Sequence, residues 1–374
     1  MKKIKIFMLH LGFGGIEKQT ITMANALVNN YDIEIVSFYK LSKNPAYKIN
    51  EKIKVKYLYD GGPNKKEFIE SLKKLKLLKV LSEGFKSLKI LWLKNKLIKN
   101  EIIKNDANIF FSTREEYGKL ISKYGSKNIL KVTQEHNFID TDAYKNRILK
   151  EYKNLDYVVV ISKYHEKMYN DWFKNSSVKV IRIENILDSF PKNHSALDHN
   201  AVVAAGRFNW VKDFTSLIKV INLAVKDNPK LKLYLLGDGE EKGKILNLIR
   251  EYNLQNNVII TGFVGPDKVE EYMLKSDIYL MTSISECFPM VLLEAYSMGL
   301  PVISYDILSG PKEIVKNGET GYLISNRDIN VMAKKINELL YDKEKLKLFG
   351  KNALAESYKY KADLIKQKWI NLFK

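Results

Sequence analysis

Cysteine is almost absent from these 374 residues: Cys287 stands alone. One thiol cannot close an intramolecular disulfide or build a cysteine zinc site, and such scarcity fits a reducing compartment, so a cytoplasmic protein that folds without disulfides is expected. Long apolar runs are missing too. None reaches the roughly 20 residues that a membrane-spanning helix needs. The opening MKKIKIFMLHLGFGG has a charged lead, but its apolar run, Ile4 to Leu11, is too short for an export core and ends in glycines. It reads as a first strand. Acids are also in deficit, with 43 Asp and Glu against 62 Lys and Arg and a net charge of +19. An anionic partner and a compositional bias toward Lys, Asn, Ile and Tyr both account for that excess.

The chain is longer than one hydrophobic core usually serves, so two domains are expected. Short Val/Ile-rich strands alternate with amphipathic segments, the pattern of parallel sheets flanked by helices, and the class is α/β. In the first half, strands are predicted at Ile4–Leu9, Ile33–Phe38, Val55–Tyr59, Asn108–Phe111, Ile129–Thr133, Tyr157–Ile161 and Val178–Ile181. A second series is predicted near Val202–Ala205, Leu231–Leu236, Val258–Thr261, Ile278–Thr282 and Val302–Ser304. The aperiodic, polar stretch between them, with Asp188, Pro191, Asn193 and His194, reads as a linker. The expected domains are therefore 1–187 and 201–361, joined by 188–200, with a last amphipathic helix, 362–374, that carries Trp369 and Phe373 and packs back toward the first domain. Between Lys65 and Lys104 a long helical stretch combines many lysines with Leu72, Leu75, Leu88 and Trp92 at helical spacing. Two readings stand for it: a helix lying on an anionic membrane, or a core-facing helix with a solvated lysine face.

Chemistry concentrates in the second half. From Asp277 a buried strand runs into a loop bearing Glu286, and a helix opening near Pro289 carries Glu294 in an early turn, with Gly299-Leu-Pro301-Val-Ile following. Ligands of open α/β sheets sit beyond the carboxyl ends of strands, so two carboxylates eight positions apart would address one polyhydroxylated ligand. Earlier, Gly206-Arg207 and Lys212 follow the first strand of the second series and precede a helix, where cations and free backbone N–H groups suit a diphosphate. Strand ends at Gly237-Asp-Gly239 and at Gly262-Phe263-Val264 add two glycine turns. In the first half, Gly12-Phe-Gly14-Gly15 lies between strand and helix and superficially matches a dinucleotide loop. The full spacing fails, and the second strand ends at Tyr39 and Lys40 where an acid would hold a ribose. His136, in Gln134-Glu135-His136-Asn137, follows another strand.

The glutamate pair with its trailing G-x-P-V-I strand resembles the signature of the retaining glycosyltransferase family four, and Gly206-Arg207 with Lys212 resembles the family's G-R-x-x-x-x-K element. Asp213 stands where the family often has glycine. The resemblance implies a GT-B fold, two Rossmann-like parallel-sheet domains facing across a cleft, and a UDP-sugar donor with no cofactor and no metal. It implies that Glu286 contacts hydroxyls of the donor sugar and Glu294 the ribose, and that Arg207 and Lys212 bind the β-phosphate. Backbone at Gly262, Phe263 and Val264 would meet the base, and Gly206, Gly237, Phe288, Pro289, Met290 and Val291 would complete the donor contacts. Gly14 and Gly15 would close over the donor, and His136 would help to place sugar and acceptor. The segment Gly310-Pro311-Lys312-Glu313 is similar to members that move galactose-type or N-acetylhexosamine sugars. The expected acceptor is a glycan or polyprenyl-linked glycan of cell-surface polysaccharide synthesis, with the enzyme at the inner face of the membrane. An epimerase or sugar-phosphate synthase on the same fold is the alternative enzyme, and a basic nucleic-acid or membrane binder the non-enzymatic one; the carboxylate pair speaks against nucleic acid as a partner.

Overall fold

Thirteen strands form among the described residues of the computed structural model, which are all but Phe138 and Ser189, with the Lys66 side chain also excluded. Ser189 belongs to the stretch read as linker, so that position lies outside the described residues, as does the Lys66 side chain of the basic stretch. The strands are β1 (Lys3–Met8), β2 (Asp32–Lys40), β3 (Lys54–Asp60), β4 (Ile109–Ser112), β5 (Leu130–Glu135), β6 (Tyr157–Val160), β7 (Lys179–Arg182), β8 (Ala201–Ala205), β9 (Lys232–Leu236), β10 (Val258–Gly262), β11 (Ile278–Met281), β12 (Val302–Tyr305) and β13 (Gly321–Ile324). Their composition explains their burial. Runs such as Ile-Phe-Phe-Ser in β4 and Ile-Tyr-Leu-Met in β11 are buried at every position, as central strands of parallel sheets covered on both faces must be.

The first sheet runs β3-β2-β1-β4-β5-β6-β7 and the second β10-β9-β8-β11-β12-β13, with parallel pairing throughout both. In each, sequence order reverses beside the first strand of the set: at β1/β4 in one and β8/β11 in the other. Only β13 lacks a sequence-predicted counterpart. It is four residues long and headed by Gly321, where a Cβ would lie 1.8 Å from the Val302 carbonyl oxygen, so the close approach to β12 and not residue propensity makes it a strand.

The chain divides into two compact units. One comprises Met1–Ile161, His165–Ile186 and Ala362–Lys374, the other Ser162–Tyr164 and Leu187–Lys361. In the first unit Ile4, Ile6, Ile33, Ile35 and Phe111 form the core together with Trp369 and Phe373 of the helix Ala362–Phe373. Trp369 is 2% exposed and meets the Phe111 ring edge-on at 5.4 Å. In the second unit the stretch before β8 is tied down: Ser195 Oγ donates to the Ser276 carbonyl at 2.5 Å and the His199 N–H to Asp277 at 3.0 Å.

The lysine-rich stretch is two helices, Lys65–Lys73 and Leu77–Ile103, separated by a turn in which Leu75 adopts a left-handed φ of 50°. The core-facing reading holds for Ile90, Ile98 and Ile102, which are buried. It does not describe Leu72, Leu75, Leu88 and Trp92, all of which are exposed. Among the described residues no helix is long and apolar enough to cross a membrane.

Candidate functional site

The loops leaving β8 and β11 emerge side by side at the carboxyl edge of the second sheet, where strand order reverses. A crevice opens at such a switch point because the chain departs to opposite sides of the sheet. The first loop carries Gly206, Arg207 and Lys212, the second Glu286. Three hydrogen bonds join them: Thr282 Oγ1 donates to the carbonyls of Lys212 and Asp213 at 3.1 and 3.0 Å, and the Ile284 N–H donates to the Val211 carbonyl at 2.7 Å. Fixed in this way, Lys212 Nζ meets Glu286 Oε1 at 2.5 Å, and Ser283 Oγ donates to the same oxygen at 2.7 Å. Both charged side chains are largely withdrawn from solvent.

Glu294 is half-buried on the helix Met290–Ser297, whose N-cap is Pro289. It and Glu286 act on one group. Burial pushes the Tyr279 phenol on β11 well up from its usual range, and the charges of both glutamates push it the same way. Both carboxylates are thus within electrostatic reach of a hydroxyl that bonds the backbone of Ala205 at the end of β8. Gly310, at a φ of 82°, lets the Glu286 loop in close: a Cβ there would stand 2.8 Å from Pro289 and 3.1 Å from Glu286. Phe288 and Pro289 are buried, while Met290 and Val291 are half-buried at the helix start.

Arg207 is directed elsewhere: it is exposed, and its Nε donates to Glu240 at 3.1 Å. Gly237, at a φ of 142°, holds the loop after β9 against Gly206, since a Cβ would come within 1.9 Å of the Gly206 carbonyl oxygen. Its N–H donates to the Gly262 carbonyl at 3.0 Å, so the ends of β8, β9 and β10 form one continuous backbone ledge. Phe263 projects from it, 68% exposed, beside half-buried Val264.

Arg327 was not singled out in the sequence, yet it fastens this site. Its guanidinium donates to the carbonyls of Ser283 at 3.0 Å and Thr282 at 3.2 Å, pairs with the Asp213 carboxylate, and stacks 4.5 Å over the Tyr305 ring. The only sequence signal was Asp213 in a glycine position. Asp213 has a φ of 43°, and its carboxylate accepts the Ser216 N–H at 3.1 Å to cap the helix Phe214–Asp227. Glycine suits that backbone and aspartate suits the cap, so the departure from the family pattern keeps the loop's shape.

In the first unit the edge of the neighbouring strands β1, β4 and β5 gathers a second polar group. Gly14 and Gly15 begin the helix Gly15–Leu27, the Gly14 carbonyl accepting the Tyr47 hydroxyl at 3.3 Å. Glu17 on that helix accepts Arg114 at 2.8 Å and lies 3.7 Å from His10. His136 follows β5 with its Nε2 shielded from solvent and without a hydrogen-bond partner among the described residues. Burial, aided by the Arg114 charge, lowers its pKa to about 4, so the ring is neutral near pH 7. Its neighbour Glu135 is buried under the hydroxyls of Tyr152 at 2.5 Å and Tyr144 at 3.4 Å, and burial raises its carboxyl to about 7. Gly14, Gly15 and His136 thus belong to one unit, and the cations and glutamates to the other.

The family model for glycosyl transferases group 1 matches residues 185–356. Among curated relatives, an exopolysaccharide phosphotransferase of Streptomyces coelicolor is 26% identical over 96% of this chain, which spans 39% of that protein's length. An N-acetylgalactosaminyltransferase of Campylobacter jejuni that acts on a diphospho-undecaprenol-linked glycan is 26% identical, over 94% of this chain and 93% of its own. Among solved structures, a variant of S. aureus TarM in complex with fondaparinux, α-GlcNAc-glycerol and UDP superposes with a TM-score of 0.77 at 19% identity, covering all of both chains. The matched segment begins between β7 and β8 and takes in every cation and carboxylate of the β8/β11 site. Residues 185–356 thus belong to glycosyl transferases group 1, in a chain whose two parallel sheets have the GT-B architecture.

Proposed function

We propose that the chain transfers a hexose or N-acetylhexosamine from a UDP-sugar, with retention of anomeric configuration and without a metal, to a glycan or lipid-linked glycan acceptor in cell-surface polysaccharide synthesis, working on the inner side of the cell membrane. The observation that carries the donor site is the Lys212–Glu286 pair, held between the loops that leave β8 and β11. A sugar diphosphate offers what each member of that pair needs. Its phosphate oxygens accept from Lys212, and its sugar hydroxyls donate to Glu286 and its ribose hydroxyls to Glu294. Arg207, exposed beside the ledge made by Gly206, Gly237 and Gly262, adds charge for the β-phosphate. The base lies on Gly262, Phe263 and Val264, and the helix start at Pro289, Met290 and Val291 provides backbone N–H groups. Gly14, Gly15 and His136 serve the sugar and acceptor from the first unit.

The reaction needs no strong protein base. The acceptor hydroxyl oxygen forms its bond to the anomeric carbon on the face from which the diphosphate departs, the bond from that carbon to the phosphate oxygen breaks, and the hydroxyl proton passes to the departing oxygen. The products are a glycoside and UDP. Lys212 offsets the negative charge that grows on the leaving group in a site with little water, where a fixed cation is most effective. The UDP in the TarM complex supports a uridine nucleotide donor, and the diphospho-undecaprenol-linked substrate of the Campylobacter relative supports a lipid-linked acceptor.

Thermal melts with UDP-, GDP- and ADP-sugars test the donor reading, because a ligand that binds only the native state raises the midpoint. A rise with a UDP-sugar, followed by NMR assignment of a retained anomeric configuration in the product, is expected. No rise with any sugar nucleotide would overturn the donor assignment, and loss of turnover on chelation would overturn metal independence.

A further inference from the structure

We propose that the helix Leu77–Ile103, with the turn before it, is a surface that seats the protein on an anionic lipid bilayer. Leu77, Leu78, Leu81, Phe85, Leu88 and Trp92 are 58% to 86% exposed. At about 100° per residue the spacing of three and four from Leu78 to Trp92, with Leu77 beside Leu78, puts them on one face, while Ile90, Ile98 and Ile102 of the same helix are buried. Apolar side chains scattered singly over a surface are ordinary; six large ones in line along four turns are not.

The surrounding charge identifies the occupant. Residues 71–100 hold nine lysines and a single acid, Glu83, and that carboxylate is turned to Asn64, whose amide donates to it at 2.8 Å. Lys89 and Lys96 flank the stripe, with Lys96 Nζ 4.5 Å over the Trp92 ring, and Lys73, Lys74 and Lys76 crowd the turn where Leu75 projects. The helix is about 40 Å long at 1.5 Å per residue, enough to cross a bilayer, but its lysines forbid that and favour lying in the interface. Leu78, Leu81, Phe85, Leu88 and Trp92 also have the spacing of a coiled-coil seam, which would suit a second copy of the chain. Two such faces would bring lysine against lysine with no free acid in between. Anionic headgroups turn the same lysines into attraction while the leucines enter the acyl boundary.

This surface deepens the lipid-linked part of the proposed function, but its test uses neither donor nor acceptor, so either reading can fail alone. The full chain is sedimented with phosphatidylcholine vesicles with and without phosphatidylglycerol. Binding to the anionic vesicles is expected to exceed binding to neutral ones by about tenfold or more and to weaken with salt. The double variant Phe85→Glu/Leu88→Glu is expected to lose at least about tenfold of that binding with an unchanged melting temperature, since both side chains are exposed. Absence of vesicle binding, equal binding to both vesicle types, or an unaffected double variant would overturn the proposal. So would a dimer in light scattering that the double variant dissolves, or binding of a single-stranded oligonucleotide in preference to anionic vesicles.

Discussion

The Lys212 ammonium lies 2.5 Å from Glu286 Oε1 although 74 positions separate the two residues. Neither loop is regular structure, so the pair owes its geometry to the strands beneath: β8 and β11 pair in parallel, with Ile278 opposite Val202 and Tyr279 opposite Val203. The Tyr279 hydroxyl then locks to the backbone of Ala205. A sheet register thus becomes a distance between functional groups.

Replacing Lys212 with alanine is expected to lower kcat by about 10²-fold or more, the usual cost of losing a preorganised charge on a leaving group. Stability should change by no more than about 1–2 kcal/mol, since Glu286 keeps the Ser283 hydroxyl and some access to water. Initial rates beside thermal melts separate the two effects, and unchanged turnover would remove Lys212 from the mechanism.

Arg327 is expected to act by position. Arg327→Ala removes three polar contacts to the two site loops and a ring stack on Tyr305 of β12, and should cost about 1–3 kcal/mol together with a higher KM for the donor. A double-mutant cycle with Asp213→Asn should show coupling of about 0.5 kcal/mol or more, whereas strict additivity would mean that the pair does not fasten the loop. Asp213→Gly should be milder than Asp213→Ala, because the φ of 43° favours glycine.

Glu135 should make the first unit less stable as pH rises. Its folded pKa, about 7, lies above the unfolded value of 4.5, so between those values the native state binds more protons. The contribution is full below pH 4.5 and is lost as pH rises through about 7, a difference on the order of 3 kcal/mol at 1.36 kcal/mol per unit. The melting temperature of Glu135→Gln relative to the parent protein is therefore expected to improve steadily from pH 4.5 to pH 8. A constant offset would contradict the assignment.

His136 and His165 act in the opposite direction. Burial lowers both to about 4 from 6.5, so the unfolded chain binds more protons between those values and stability is lost as pH falls from 6.5 toward 4. Replacing either with glutamine should lessen the acid sensitivity of the melt.

Trp369→Ala is expected to destabilise the first unit by about 3–5 kcal/mol, the range for emptying a buried tryptophan site. The indole touches Phe111 and Phe373 in one cluster, which leaves little freedom to collapse around the gap. Chemical denaturation followed by fluorescence would measure it.

The sequence by itself determined the alternation that makes two parallel sheets, because a strand buried on both faces must be predominantly apolar, as in Ile109–Ser112 and Ile278–Met281. It also held the spacing of Glu286 and Glu294 and the placement of Lys212, since strand-end loops and helix starts have local signals. What it did not contain was partnership. Arg327 lies 114 positions from Asp213, and no periodicity links them. Arg207 turning to Glu240, Glu135 buried under two tyrosines, and β13 formed by the close approach of Gly321 to Val302 likewise depend on which strands become neighbours. The lysine-rich stretch shows the same division. Its amphipathic spacing was legible, but whether Leu88 and Trp92 faced a core or the outside was decided only when Ile90, Ile98 and Ile102 took the inner face. Local chemistry sets what each segment can become; burial, which is a property of the assembled chain, decides which face meets water and which charges meet each other.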